Sequence, residues 1–314
     1  MREVQQFPEF SWSFSRASTL NSCPRKYYYA YYGSHNGWLL WRDDIPEIQK
    51  RTYRLKKLVS LPIVFGQIIH DQVERALGDL FESGFIPTID ELEHLTRDHL
   101  NEAYLDSVKR GQLWLERPSR HLMLAEIYYN NQLPKDEVAH YNERIRPTWE
   151  HFLRSETWQL LLTRGDELSF EQVEDFASIM IGDVRVWVVL DLLLYDQRED
   201  LWYIIDWKTG KRSDDDRMQL VLYAYYVAET FGVPFEHIRL RNEYLQTGEA
   251  STFTPTEMDR KQLIHFFSHS VEDMRHYQKN KATNEPVDID SFPKTEQTLQ
   301  CQYCNYREVC LPSL

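Results

Sequence analysis

The chain has 314 residues, 42% of them hydrophobic, and a formal net charge of −13. That is apolar material for one large folded domain, with or without an insertion, and it excludes a disordered chain. No apolar run approaches membrane-spanning length and Met1-Arg2-Glu3-Val4 lacks a basic-then-apolar leader pattern, so a soluble, cytoplasmic protein is expected; a chain this acidic does not coat nucleic acid nonspecifically.

Residues 11–32 form a helix-compatible run with aromatics on most sides, Tyr27-Tyr28-Tyr29-Ala30-Tyr31-Tyr32. Such a run is buried or gripped by a partner, and docking in the core is the commoner case. A basic segment follows, with Lys50, Arg51, Arg54, Lys56 and Lys57. Most charge runs are solvated faces, but this one stands against an acidic background and offers a local track for phosphates, with Arg25, Lys26, Lys211 and Arg212 as further cations. From Val64 to Leu80 the apolar residues Phe65, Ile68, Ile69, Val73, Ala76 and Leu77 recur at helical spacing, and His70 lies at the edge of their face. A lone histidine there is more often a satisfied core residue than a ligand. Residues 88–164 alternate helical stretches with polar breaks and read as a helical insertion without chemistry of its own.

Strands resume near Glu167. In the run Val184 to Tyr195, alternation puts Val184, Val186, Val188, Leu190 and Leu192 on one face and Asp191 on the other, inside an apolar stretch. The next strand ends Ile204-Ile205-Asp206-Trp207-Lys208, with Ile204, Asp206 and Lys208 sharing a face. Residues 196–200 are a polar connector of hairpin length, so the two strands are expected to be antiparallel neighbours whose acids converge. Two acids and a lysine at strand ends suit a metal-dependent phosphodiesterase, because a hard cation takes carboxylate oxygens and an ammonium offsets charge on phosphate. The alternative is an ordinary Asp206–Lys208 ion pair, which is what an arbitrary D-x-K motif usually is. Asp214-Asp215-Asp216 opens a helix to Phe231, more as a cap than as ligands. On that helix Gln219 and Tyr223 share a face. A strand over 237–246 follows, then a helix opened at Thr254-Pro255-Thr256-Glu257, with proline at its first position, and a polar, irregular stretch over 280–298. The end holds Cys301, Cys304 and Cys310; with Cys23 these are the four cysteines of the chain, a better ligand set than a disulfide framework. No GxxxxGK phosphate loop is present, so a helicase motor would be a separate polypeptide.

Taken in order, these residues resemble the PD-(D/E)XK nucleases of the RecB type, and within them the iron-sulfur branch that includes the AddB nuclease domain and the CRISPR-adaptation nucleases. His70 looks like the first motif, Asp191 the second, Asp206-Trp207-Lys208 the third, and Gln219 with Tyr223 the QxxxY motif. Glu174 matches loosely an acid before the second motif. Cys23-Pro24-Arg25 with Cys301, Cys304 and Cys310 resembles the four-cysteine [4Fe-4S] pattern; zinc is the alternative, although zinc ligands usually come in two close pairs.

The resemblance implies an α/β, restriction-endonuclease-like core with a mixed central sheet flanked by helices. Residues 1–314 would form a single nuclease domain, 88–164 a helical insertion, and 299–312 a C-terminal cysteine motif stapled by the cluster to Cys23. It implies that His70, Asp191, Asp206 and the Trp207 carbonyl hold Mg2+ or Mn2+, that Lys208 assists the water, and that Gln219 and Tyr223 sit beside the site on the DNA. The implied activity is a metal-dependent deoxyribonuclease, an exonuclease on DNA ends or single strands in repair, recombination or defence, working with a helicase or another recombination or defence partner. A noncatalytic DNA-binding scaffold of the same fold is the competing expectation.

Overall fold

The computed structural model describes residues 4–213 and 215–311, without the side chains of 172–175. The chain opens with a two-residue strand β1 (Ser11–Trp12), then α1 (Phe14–Ser22), α2 (Pro24–Tyr28) and a π-helical turn over Tyr29–Gly33. There follow α3 (Glu47–Lys56), β2 (Leu58–Val59), α4 (Leu61–Ser83), α5 (Ile89–Lys109), α6 (Gly111–Glu116), β3 (Met123–Leu124), α7 (Ala125–Asn130), α8 (Lys135–Arg154) and α9 (Glu156–Arg164). The remainder runs β4 (Leu168–Ile181), β5 (Val184–Asp196), β6 (Leu201–Lys208), α10 (Asp215–Phe231), β7 (Ile238–Tyr244), β8 (Glu249–Phe253), α11 (Glu257–His276), β9 (Gln278–Asn280), β10 (Glu285–Pro286) and α12 (Arg307–Cys310). Among the described residues no helix is long and apolar enough to cross a membrane.

The fold is a mixed α/β one, a central sheet flanked by helices, and β5 is its spine. On one edge β5 pairs antiparallel with β4, from Leu168↔Asp196 to Ile181↔Val184. Its other edge is divided. β1 pairs there in parallel, Ser11↔Arg185 and Trp12↔Val186, and β6 pairs antiparallel from Leu192↔Ile205 to Asp196↔Leu201. Among the described residues neither strand pairs with β5 between Val186 and Leu192, so the sheet forks just where Asp191 sits. Beyond the fork β6 runs parallel to β7 through the α10 crossover, and β8 closes that edge antiparallel.

The side chains of β5 explain why the fork falls there. Val184, Val186, Val188 and Leu190 pack into one core with Ile204, Leu240 and the α10 residues Leu220 and Val221. Strict alternation would place Leu192 with them. Instead Leu193 joins that core, while Leu192 and Leu194 join Ile205 and Trp207 beneath α4, α8 and α9. The alternation slips by one residue around Asp191. From Leu190 to Leu194 five consecutive residues are buried, because helices cover both faces. Full burial of one such leucine is worth roughly 1.5–3 kcal/mol, so two apolar cores jointly fix the register on either side of an acid that gains nothing from burial.

The ends of the chain depart from the sequence expectation. The 11–32 run is not one helix: Cys23 is extended (φ −166°, ψ 107°), ending α1 and capping α2, its Sγ accepting the Lys26 N–H at 3.4 Å. Trp12 is fully buried and donates from Nε1 to Ser270 Oγ (2.9 Å). Nor is 280–298 irregular throughout. β9 pairs with β10, and Phe292 is fully buried against Tyr28, Tyr32 and Tyr277. Proline is not the first residue of α11; Pro255 precedes the N-cap, and Thr256 with Asp259 forms the capping box. The 88–164 stretch is a series of helices joined by turns, with one strand, β3, which pairs with β2 in parallel.

Candidate active site

Asp191 and Asp206 occupy the two sides of the fork, 9% and 4% exposed. Continuing the β5–β6 register by one residue sets them opposite each other. The Trp207 N–H, released from ladder pairing with β5, donates to Asp191 Oδ2 at 2.8 Å and fixes that carboxylate. The Trp207 indole lies in the opposite core, fully buried. Helix α4 brings the third group. Its apolar face, Phe65, Ile69 and Val73, seats against Leu192 and Trp207, which leaves His70 at the rim with Nδ1 3.4 Å from Asp191 Oδ2. Gly66 makes the approach of α4 feasible, since a Cβ there would stand 3.0 Å from Thr209 Oγ1.

Lys208, at the end of β6, places Nζ 2.8 Å from Asp206 Oδ2 and donates to Gln219 Oε1 (2.8 Å), while Gln219 Nε2 donates to the Tyr223 hydroxyl (2.6 Å). The expected i, i+4 pair on α10 is therefore a hydrogen-bonded extension of the D-x-K strand. Burial, and then the charge of Asp191, push the Asp206 carboxyl up to about 6, against the pull of Lys208 and His70. Burial opposes the charge of Lys208, but Asp206, Asp191 and Asp216 outweigh it and hold the ammonium above the ordinary lysine value. Burial and the same two acids raise Tyr223 well above the ordinary phenol. At neutral pH, then, Lys208 is a cation and donor and cannot serve as a base, while Tyr223 is a neutral phenol.

Three neighbours carried no motif in the sequence. Asn242 lies opposite Asp206 in the β6–β7 register, on the same face, 3% exposed, and its Oδ1 has no hydrogen-bond partner. Tyr244, opposite Lys208, donates to Asp216 Oδ2 (3.0 Å), which also accepts the Ser213 N–H (2.9 Å). This turns one acid of the capping run toward the site; Asp214 lies outside the described residues. Arg144 of α8 stacks over Phe65 and Tyr141, 5.1 Å from each centroid, and donates to the Thr209 carbonyl. A signal for the first two was present in the sequence: Asn242 and Tyr244, two apart, continue the face that Ile238 and Leu240 begin as apolar. Glu174 lies outside the described side chains.

Whether the acids fit a cation is judged by their unmet needs. Asp206 Oδ2 is buried and, besides the Lys208 ion pair, has no well-formed hydrogen bond, and the neighbouring Asn242 Oδ1 is likewise orphaned. A buried carboxylate oxygen met only by the Lys208 ammonium and an amide oxygen with no partner, beside a second carboxylate and an imidazole, are the kinds of donor that a hard or borderline divalent ion takes. Among the described residues, however, no group of three or more His, Cys, Asp or Glu is closed into a ready cage. The donors match in kind and stand at the fork.

The same holds for the cysteines. Cys23, Cys301, Cys304 and Cys310 are free thiols lining one cavity of about 680 Å³ between the two ends of the chain. Burial raises the Cys304 and Cys310 thiols, and Cys304 Sγ accepts the Tyr306 N–H at 3.4 Å. The tail does not depend on thiol ligation alone for its attachment, contrary to the sequence reading. Tyr306 is buried and stacks on Tyr29 (5.5 Å), Tyr29 donates to the Val309 carbonyl (3.1 Å), and Asn305 donates to the Leu58 carbonyl (2.8 Å). The basic track on α3 is likewise committed internally: Arg51 pairs with Glu308 (2.7 Å), Arg54 with Glu47 (3.0 Å) and the Leu115 carbonyl (2.9 Å), and Lys56 lies over the Tyr31 ring.

The model of the PD-(D/E)XK nuclease superfamily matches residues 11–311, from β1 through the last cysteine. The chain belongs to the PD-(D/E)XK nuclease superfamily. That assignment spans the fork, both flanking helices and the cysteine cavity, so in this PD-(D/E)XK chain the ends belong to the same matched unit as the site. Among solved structures, "Crystal structure of SSO0001" is similar over 60% of this chain and 79% of that one, at 16% identity and a TM-score of 0.27. No curated protein matches the sequence.

Proposed function

We propose that the protein is a divalent-metal-dependent deoxyribonuclease acting on DNA ends or single strands, in repair, recombination or defence, with a helicase or recombination partner supplied by another chain. The observation that carries this reading is the continuous chain Asp191, Asp206, Lys208, Gln219, Tyr223, in which both acids are buried and Lys208 bridges the strand to α10. His70, Asp191, Asp206 and the Trp207 carbonyl would hold Mg2+ or Mn2+. A cation there would polarise the phosphodiester and acidify a water. Lys208, kept protonated by three acids, orients a water or steadies a phosphate oxygen by donating. Gln219 and Tyr223 fix the rotamer of Lys208, and Tyr223 remains a neutral donor to the nucleic acid strand. The superfamily assignment supports hydrolysis of phosphodiester bonds.

In the same reading Cys23, Cys301, Cys304 and Cys310 hold a [4Fe-4S] cluster. Their supports are a shared cavity, the absence of disulfides among the four, and N–H···S contacts of the kind that stabilise cluster thiolates. The 88–164 helices remain, on this view, an insertion that supplies Arg144 to the loop after Lys208. The experiment is incubation of end-labelled and circular DNA, single- and double-stranded, with the protein and Mn2+ or Mg2+. Mononucleotides or short ladders from linear single strands are expected, with Mn2+ at least as effective as Mg2+ because one donor is an imidazole. Intact DNA with every cation would refute the assignment.

A further inference from the structure

We infer that the protein has a second nucleic-acid site, a cleft that grips single-stranded DNA by base stacking and is built from residues outside the proposed catalytic set. The cleft, about 940 Å³, lies between the 38–41 loop, α3, α6 and the turn after α6. Its walls include Trp38, Trp41 and Tyr53, with Arg117 and Arg120 on the turn. None of the fork residues lines it. Trp41 is 75% exposed and Trp38 43%, in a chain that fully buries five other tryptophans. Folding alone does not explain an indole left in water, since it forgoes burial that every core tryptophan obtains.

The loop is held in place, so the exposure is built in. Gly37 approaches α3 so closely that a Cβ would stand 2.3 Å from the Gln49 carbonyl oxygen, and Trp38 then meets the Tyr53 ring edge-on at 6.2 Å. The charges point to the occupant. Arginines of this acidic protein are mostly spent on carboxylates, Arg54 of this same cleft included. Arg117 and Arg120 have no ion pair among the described residues and are both exposed, and Glu116 is the one acid among the described residues lining the cleft. Unspent guanidinium groups beside exposed π-faces suit bases to stack and phosphates to neutralise. A duplex hides its base faces, so a single strand is the occupant. The inference deepens the nuclease reading and rests on it for the choice of DNA as ligand, but its own test does not require cleavage.

The test is titration of a fluorescein-labelled oligothymidylate in chelator, with tryptophan quenching as a second readout. Wild-type protein should bind with quenching and prefer the single strand to a duplex of equal length. Trp41→Ala, and separately Arg117→Ala with Arg120→Ala, should each weaken binding about ten-fold or more, as removal of one stacking partner does. Their melting temperatures should match wild type, because these side chains are exposed. Wild-type affinity in both variants overturns the cleft, as does duplex binding that equals single-strand binding. Binding through these residues without cleavage under any cation would leave the cleft standing and remove the nuclease reading; cleavage with unaltered binding in both variants would do the reverse.

Discussion

The fork in the sheet and the cavity of cysteines are both donor sets, yet they are assembled differently. At the fork the backbone fixes the donors: β5 and β6 are locked by two cores, and the Trp207 N–H and the Lys208–Gln219–Tyr223 chain orient side chains before anything binds. At the cavity the thiols come from segments almost 300 residues apart, placed by aromatic packing around Tyr29 and Tyr306. The first arrangement stores an electrostatic cost in an intact fold. The second, on the proposed cluster reading, ties stability to what the thiols would bind. Substitutions should accordingly cost activity at the fork and stability at the cavity.

The largest effect is expected at the fork. Asp191→Ala, Asp206→Ala and Lys208→Ala should each lower cleavage by about a thousand-fold or more, the scale set by loss of a charge-stabilising group, with DNA binding retained in the lysine variant. Wild-type cutting by Lys208→Ala would dissolve the contrast, leaving Asp206 and Lys208 as a structural ion pair. At the cavity, Cys23→Ala and Cys304→Ala purified without oxygen should lose iron and visible colour together and melt several degrees lower, about 2–4 °C per kcal/mol for a chain this large. The tail should nonetheless stay docked, because Tyr306 is buried independently of the thiols; Tyr306→Ala should release it at a cost of roughly 3–5 kcal/mol, read by limited proteolysis. Full iron in Cys23→Ala with none in Cys304→Ala would show that only the tail binds.

A smaller, signed effect sharpens the electrostatic half. Without cations, the Asp206 carboxyl titrates near 6 in the fold and near 3.9 unfolded, so the native state holds more protons between those values and this group's contribution to stability falls as pH rises through that window. Asp206→Asn in chelator should therefore be more stable than wild type at pH 7, by about 1–3 kcal/mol, and equal to it near pH 4. Chemical denaturation at the two pH values measures this; a less stable Asn variant at pH 7 would mean that the Lys208 ion pair outweighs burial. The smallest effect concerns α3. Because Arg51 and Arg54 are committed to Glu308 and Glu47, replacing both with glutamine should change the salt slope of DNA binding by less than about one unit.

The sequence disclosed the site better than its surroundings. Asp191 and Asp206 stood out as polar residues that break the pattern of apolar strands, while His70, Lys208, Gln219 and Tyr223 were legible through the motif order that the chain resembles, and the structure brings all six together. Asn242 breaks the same pattern, but without an alignment of strand registers nothing connects it to Asp206. The slip at Asp191 was hidden for a related reason: a run apolar on both faces carries no period from which a phase change could be read. The α3 cations were misleading because their partners Glu47, Glu308 and Tyr31 are near in space and, apart from Glu47, distant in the chain. The docking of the tail through Tyr306 was not legible, since one buried tyrosine does not register in composition.

The order in which a ribosome delivers this chain conflicts with the order in which it closes. Trp12, Arg25, Tyr29 and Tyr32 emerge early, but their partners are Ser270, the Phe292 carbonyl, the Val309 carbonyl and Asn284. β1 likewise cannot pair until β5 has been made. The tyrosine-rich segment 12–32 must wait for partners about 250 residues further along, and contacts this distant in sequence form slowly. Nascent chains stalled before residue 270 should therefore expose the aromatic 12–32 segment to chaperones and proteases, and protection of Trp12 should arrive only with α11.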